Sequence, residues 1–508
     1  METIRIKRAG GRSARKAKRA AAPEINPAPP GPAGGAYKPL SESALTAIHE
    51  TALKLLEEPG IGDAPPSLVE AATARGAYVN KRGRLALPAE LVDWAIDQTP
   101  KRILFPGRDP GHDFEIGGEK VYFGTGGAAV QTLDLESGLY RPSTLSDLYD
   151  FTRLIDRLNN VSWFTRCCVA TDVPDNFELD VNTAYALLRG TTKPVGTSFF
   201  VGEHVDPVID MFDEALGGKG RFAERPFCKV HISPVISPLR YGEDAVAVAE
   251  AAVRRGMIVN QIIAAQSGAT APAAPAGFLA QSHAETLAGL VMVQCLAPGH
   301  PTIFSNWPFV IDLRTGAFAG SGGETAAMNA AAAQLGNWLG LPTGVAASMA
   351  DAKAPDAQMG AEKALTTLAA GLAGANMVYE SSGMMGSLLG ASFEAFVLDD
   401  EMLSHVYRTI RGIEVTPETL GYDDILATVD GPGHFLGGAP TMAAMERDYF
   451  YPAIGDRDPP SKWAEEGAET AWDRAKAKAR DMLASPDPGY LDAAADKAIR
   501  SRFNILLD

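Results

Sequence analysis

Between residues 121 and 411 the chain repeats one phrase: a short apolar run, a patch of small or polar residues, then a stretch whose apolar positions recur at helical spacing. The runs at 121–124, 161–169, 194–200, 227–233, 258–264, 301–305, 343–347 and 376–380 read as strands. The stretches at 145–158, 176–189, 205–216, 243–255, 278–296, 324–339, 356–373 and 393–410 read as the helices that follow them. A further run at 130–135 reads as a hairpin partner of the first strand. Several runs are continuously apolar rather than alternating, as expected of strands covered on both faces. Eight strand–helix units predict an α/β chain closed into a (β/α)8 TIM barrel, whose chemistry belongs where the strands end.

The flanking segments lack this phrase. Residues 1–36 read as a basic, Pro-rich flexible tail, with five prolines between Pro23 and Pro32. Residues 37–118 read as an N-terminal helical layer, with helices at 41–58 (Ser41 as N-cap), 66–75 and 88–98. The barrel is expected to occupy 119–412. Residues 413–508 are expected to form a C-terminal extension packed on it, with a helix at 468–483 and the Gly-rich loop around His434 folded toward the barrel.

Composition narrows the class. The 508 residues are 46% hydrophobic and 21% charged, with no apolar stretch long enough for a bilayer, so a globular, cytoplasmic chain without a membrane partner is expected. The formal charge is −16, but residues 1–22 hold eight Lys/Arg against one Glu, about +7, leaving about −23 on the rest. An acidic body argues against nucleic acid as the main partner. The basic opening has no apolar h-region behind it and is no secretory signal. The four cysteines, Cys167, Cys168, Cys228 and Cys295, lack metal-ligand spacing and read as buried thiols.

The predicted strand ends carry Arg166, Phe199-Phe200, His231 with Ser233, Gln261 or Gln266, Asn306-Trp307, Ser348 with Asp351, and Glu380-Ser381-Ser382. No metal-ligand set or nucleophile elbow is visible among them, and no bound metal is expected. Lys229 is the nearest thing to a Schiff-base lysine; alternation with His231 turns it inward, where a structural ion pair is the plainer role. Glycine patches at 124–127, 320–323 and 383–386 match no phosphate or dinucleotide fingerprint; they serve either as turns or as loops that let a large partner approach the backbone. Aromatic residues near the mouth (Tyr122, Phe123, Phe199, Phe200, Phe304, Trp307, Phe309, Tyr379) are either core or the wall of a cation site. Ring faces hold a desolvated quaternary ammonium by roughly 1–2 kcal/mol each.

Ordered sequence blocks add a resemblance. They are Arg8-Ala9-Gly10-Gly11-Arg12, Tyr37-Lys38-Pro39-Leu40-Ser41, the run from Ile48 to Glu57, and Phe123-Gly124-Thr125-Gly126-Gly127-Ala128. Asp134-Leu135-Glu136-Ser137-Gly138, Gly268-Ala269-Thr270-Ala271-Pro272, Asp312-Leu313-Arg314-Thr315-Gly316, Asp399-Asp400-Glu401 and Gly433-His434-Phe435-Leu436 complete them. In this order, over about 430 residues, the chain resembles the trimethylamine methyltransferase family, within it the branch lacking pyrrolysine that includes glycine betaine methyltransferase.

The resemblance implies a barrel whose mouth receives a methylated amine and a corrinoid (cobalamin-type) cofactor carried by a small cognate partner protein. Methyl would pass from nitrogen to cobalt(I), already a strong nucleophile, so the enzyme mainly orients the N–CH3 bond and excludes water. Trimethylamine enzymes of the family use pyrrolysine in the barrel; this chain has none, and the corresponding region falls around 348–353. A quaternary ammonium leaves as a neutral amine without that activation, so a betaine or another quaternary amine, rather than trimethylamine, is the expected substrate. Phe199, Phe200, Trp307 and Tyr379 would face its methyls, while Arg166, His231 and His434 are candidates for its carboxylate. Gly124, Gly126, Gly127, Gly322, Gly323, Ser348 and Asp351 would face the corrinoid. No catalytic residue is assigned, and a homo-oligomer is expected. The alternatives are another methyl donor (S-methyl or tertiary amine), a folate-type acceptor, a metal-free barrel lyase, or a non-catalytic betaine-binding protein.

Overall fold

The computed structural model describes residues 26–508, so the basic cluster and the first family block lie outside the described residues. The eight apolar runs form eight short parallel strands: β1 (Tyr122–Gly124), β2 (Val161–Thr165), β3 (Val195–Thr197), β4 (Cys228–Ile232), β5 (Ile258–Ile263), β6 (Thr302–Asn306), β7 (Thr343–Ala346) and β8 (Met377–Tyr379). Each pairs with the next, and β8 returns to β1, so the sheet is a closed barrel in chain order. The helices that follow them are α1 (Leu145–Asp156), α2 (Asn176–Gly190), α3 (Val205–Ala215), α4 (Glu243–Arg254), α5 (Pro275–Leu296), α6 (Gly323–Trp338), α7 (Ala357–Leu372) and α8 (Phe393–Arg411). The predicted (β/α)8 architecture is the one the chain adopts.

Local chemistry sets the helix ends. Thr144 and Asp147 form a capping box at α1, and Arg141 holds Asp147 at 2.6 Å. Helix α5 is buried on nearly every side because Glu42–Glu57, Pro66–Thr73 and Ala89–Gln98 cover its outer face. It therefore carries no amphipathic stripe. Residues Asp399-Asp400-Glu401 at the centre of α8 are structural. Asp399 pairs with buried Lys363 of α7 at 3.0 Å, Asp400 accepts the Asn160 amide, and Glu401 accepts three consecutive amides, Ala453 to Gly455.

Three expectations change. The run at 130–135 does not pair with β1; Gln131–Leu133 joins Tyr140–Pro142 and Gly390–Ser392 in a separate small sheet. The N-terminal layer is not all helical. It includes a hairpin of Arg102–Phe105 and Phe114–Gly117, whose Phe105, Phe114 and Ile116 pack with Tyr122, Ile258 and Met377, the first residues of β1, β5 and β8. The hairpin thus closes the N-terminal end of the barrel with apolar side chains. Finally, the C-terminal region divides. Residues 452–508 belong to the barrel's compact unit, where Ala471–Leu483 packs on α8 and α1. Residues 412–451, with 26–29 among the described residues, form a smaller unit containing Pro417–Leu420, Tyr422–Val429 and Ala439–Arg447.

Candidate active site

Strand alternation decides which side chains enter the barrel. From β4 both Lys229 and His231 point inward. Lys229 Nζ donates to Thr165 Oγ1 of β2 at 2.9 Å and lies 4.7 Å from the ring centroid of Tyr379 on β8. Its partner is neutral rather than the carboxylate the ion-pair reading required, and burial pushes its pKa far below the usual lysine range. On β5 and β6 Asn260 accepts a hydrogen bond from Ser305. These groups fill the middle of the barrel.

Above them, toward the strand C-termini, His231, Trp307 and Tyr379 form a ring triangle. Centroids are 5.6 Å apart for His231–Trp307, 5.0 Å for His231–Tyr379 and 5.0 Å for Trp307–Tyr379. Burial, reinforced by the positive charges of Lys229 and Arg166, holds the His231 imidazole well below its ordinary pKa and so neutral at physiological pH. Among the described residues His231 Nε2 and Trp307 Nε1 are buried without a hydrogen-bond partner. A buried polar atom of this kind costs about 1–3 kcal/mol unless water or a ligand satisfies it.

Two ionisable residues follow the strands around the triangle, Arg166 after β2 and Glu380 after β8. Arg166 follows β2; its guanidinium makes no hydrogen bond or ion pair among the described residues. Asp180 attracts it at longer range but is itself bonded to His204 Nδ1 at 2.7 Å. Glu380 follows β8 with φ +61°, in the left-handed region, and is fully buried. Neither of its carboxylate oxygens has a partner among the described residues. They lie against the loop after β1, where a Cβ on Gly126 or Gly127 would stand 2.8 Å from Oε1 or Oε2 respectively. Burial raises this carboxyl to about 8, against the opposing pull of Lys363 and Lys229.

The other predicted site residues fall elsewhere. Phe199 is partly buried and Phe200 is 46% exposed, on the loop after β3, and neither joins the ring triangle. His434 is exposed, in the smaller unit. Tyr122 lies at the opposite end of the barrel, against Phe114 at 4.4 Å. Phe123 and Phe304 face outward, against Tyr407 of α8 and His283 of α5. The space beside Gly124 is filled by Trp163, and that beside Gly126 and Gly127 by Glu380 and Met384. Asp351 accepts from the Gly320 amide (2.8 Å) and the hydroxyls of Ser321 (2.9 Å) and Ser387 (2.7 Å), tying loops together. Ser348 is fully buried, its carbonyl bonded by Lys363. Gly322 and Gly323 open α6, and a Cβ on Gly323 would meet nothing within 4 Å.

Sequence reasoning placed Glu380 at a strand end but gave it no role. The available signal was a carboxylate placed directly after an apolar strand, Met377–Tyr379. Among the described residues no group of three metal-ligating side chains occurs, and no helix is long and apolar enough to cross a membrane.

Residues 8–504 match the family described as trimethylamine methyltransferase. Glycine betaine methyltransferase of Desulfitobacterium hafniense (strain Y51) is 28% identical over 466 residues, 92% of this chain and 96% of the relative. Trimethylamine methyltransferase of Methanosarcina barkeri is 31% identical over 474 residues, 90% of this chain and 94% of the relative. Among solved structures, a dihydropteroate synthase from Coxiella burnetii covers 61% of this chain and 100% of its own, at 10% identity and a TM-score of 0.38.

Proposed function

The chain belongs to the trimethylamine methyltransferase family, and from that premise we propose that it moves a methyl group from a quaternary amine, glycine betaine or a related betaine, to the cobalt(I) of a corrinoid carried by a separate small protein. The observation that carries the substrate class is the pairing, at one barrel mouth, of a partner-free guanidinium with an aromatic wall. Arg166 suits the betaine carboxylate, and the faces of Trp307 and Tyr379 suit the trimethylammonium. The unpartnered nitrogens of His231 and Trp307 are the remaining polar atoms a small zwitterion would meet there.

The corrinoid, when bound, supplies a cobalt nucleophile. The residues present fit a nucleophile brought from outside. The thiol that faces Glu380, Cys167, is a poor nucleophile, since burial raises its pKa. Gly322 and Gly323, at the open start of α6, are the positions where a bulky partner could approach the backbone. The chain's own contribution is to hold the ammonium against the rings, fix the carboxylate with Arg166, and keep water out around the N–CH3 bond. A quaternary nitrogen carries its own leaving group, so departure of the neutral amine requires no proton. A tertiary amine is the second reading, favoured by relatives named trimethylamine methyltransferases at 29–31% identity.

The test is an absorbance assay with photoreduced cob(I)alamin and a panel of methylated amines. Methylcobalamin should form with glycine betaine. Formation with trimethylamine and with no quaternary amine would overturn the proposed substrate class.

A further inference from the structure

We propose that Glu380 is the counter-charge for the substrate's ammonium group, so that the site binds cations in exchange for a proton released from this carboxyl to solvent. The inference rests on the betaine reading above and adds the group that answers the positive end.

Its grounds are geometric. Glu380 directly follows Tyr379, one ring of the triangle, so its backbone is fixed to the same wall. The side chain is fully buried, yet both oxygens lack a partner among the described residues. A left-handed backbone at a residue other than glycine persists where the surroundings over-determine it. Gly126 and Gly127 leave the room that the carboxylate occupies, since a Cβ on either would stand 2.8 Å from one of its oxygens. The two cations whose charge acts on Glu380, Lys363 and Lys229, are already committed. Lys229 donates to Thr165, and Lys363 donates to the Ser348 carbonyl and pairs with Asp399. The Cys167 thiol also faces Glu380. The acceptor capacity is therefore left for something that comes from outside.

A quaternary ammonium is suited to this acceptor in particular. It has no N–H, cannot form a directional hydrogen bond, and is held by charge and ring faces in a dry site. An empty buried site favours the neutral acid; an entering cation favours the carboxylate. In balance, the protonated Glu380 plus the substrate cation give the ion pair plus one proton, which goes to the buffer. With the empty-site carboxyl held up to about 8, cation affinity falls as pH drops. The apparent Kd should rise about 25-fold from pH 8.5 to pH 6.5, if only the ionised form binds.

The experiment is calorimetry on the full chain with glycine betaine and with 3,3-dimethylbutanoate, its neutral-headed isostere, in phosphate and Tris buffers. Betaine should release a proton and follow the pH trend; the isostere should do neither. Glu380→Gln should weaken betaine by about 30-fold or more, abolish its pH trend, and leave isostere affinity within about threefold. Retained isostere binding also certifies that the variant is folded. If Glu380→Gln binds neither ligand, Glu380→Asp decides: loss for betaine alone supports the inference, and equal loss for both overturns it. Unchanged betaine binding by Glu380→Gln overturns the role of Glu380 alone. Failure of the wild-type chain to bind either ligand overturns the betaine reading and the inference together.

Discussion

A zwitterion has two ends, and the proposed substrate asks different residues at the barrel mouth to answer each. Under the proposed function Arg166 would meet the anionic end through hydrogen bonds to a charged group, worth about 1.5–3 kcal/mol, and Trp307 the cationic end through a ring face. The two contributions separate with tetramethylammonium, which has no carboxylate. Arg166→Gln should weaken glycine betaine roughly ten- to hundredfold and leave tetramethylammonium nearly unchanged. Trp307→Ala should weaken both by about five- to thirtyfold. Parallel binding titrations check this, and equal loss of both ligands in Arg166→Gln would remove the carboxylate assignment. At this scale the sequence was partly legible. Alternation on β4 turned Lys229 and His231 inward together, as the structure has them. It could not separate Phe123 and Phe304 from Tyr379, because both faces of a covered parallel strand are apolar and the pattern carries no phase.

At the level of elements, the contact between the N-terminal layer and α5 is polar at one point. His49 Nδ1 lies 3.0 Å from His283 Nε2, inside a packed interface with Trp338 and Phe304 nearby. Burial, with His49 adding to it, lowers His283 to about 3 in the folded chain, while the unfolded chain titrates near the ordinary 6.5. Between those values the unfolded state binds the additional proton, so stability is full above pH 6.5 and falls as pH drops through that window. The loss is about 1.4 kcal/mol per pH unit, hence about 2 kcal/mol at pH 5. Thermal melts at pH 7 and pH 5 should show this drop in Tm, and His283→Gln should flatten it; an identical slope in the variant would exclude this source. The barrel strands and helices were readable because each unit repeats one phrase. The hairpin was not, because Arg102–Phe105 and Phe114–Gly117 are four residues each, joined by Pro/Gly/Asp-rich chain, and no helix follows to complete a unit. One family block proves to be a fold determinant: the Asp399 to Glu401 run anchors α7, the residue before β2, and residues 453–455.

For the molecule as a whole, the hairpin that seals the N-terminal end of the barrel fixes the sequence of events as well as the shape. With Phe105, Phe114 and Ile116 beneath, and Lys229, Thr165, Asn260 and Ser305 in the middle, the barrel is packed at its N-terminal end among the described residues, which leaves the strand C-termini as the side of entry. Whatever reacts must pass the same doorway. Under the proposed reaction the small amine goes in first, the protein-borne acceptor seats over it, and the demethylated amine stays captive until that acceptor departs. Initial-rate kinetics should therefore show compulsory order, with excess acceptor protein inhibiting competitively against the amine. Random order would mean that the floor opens.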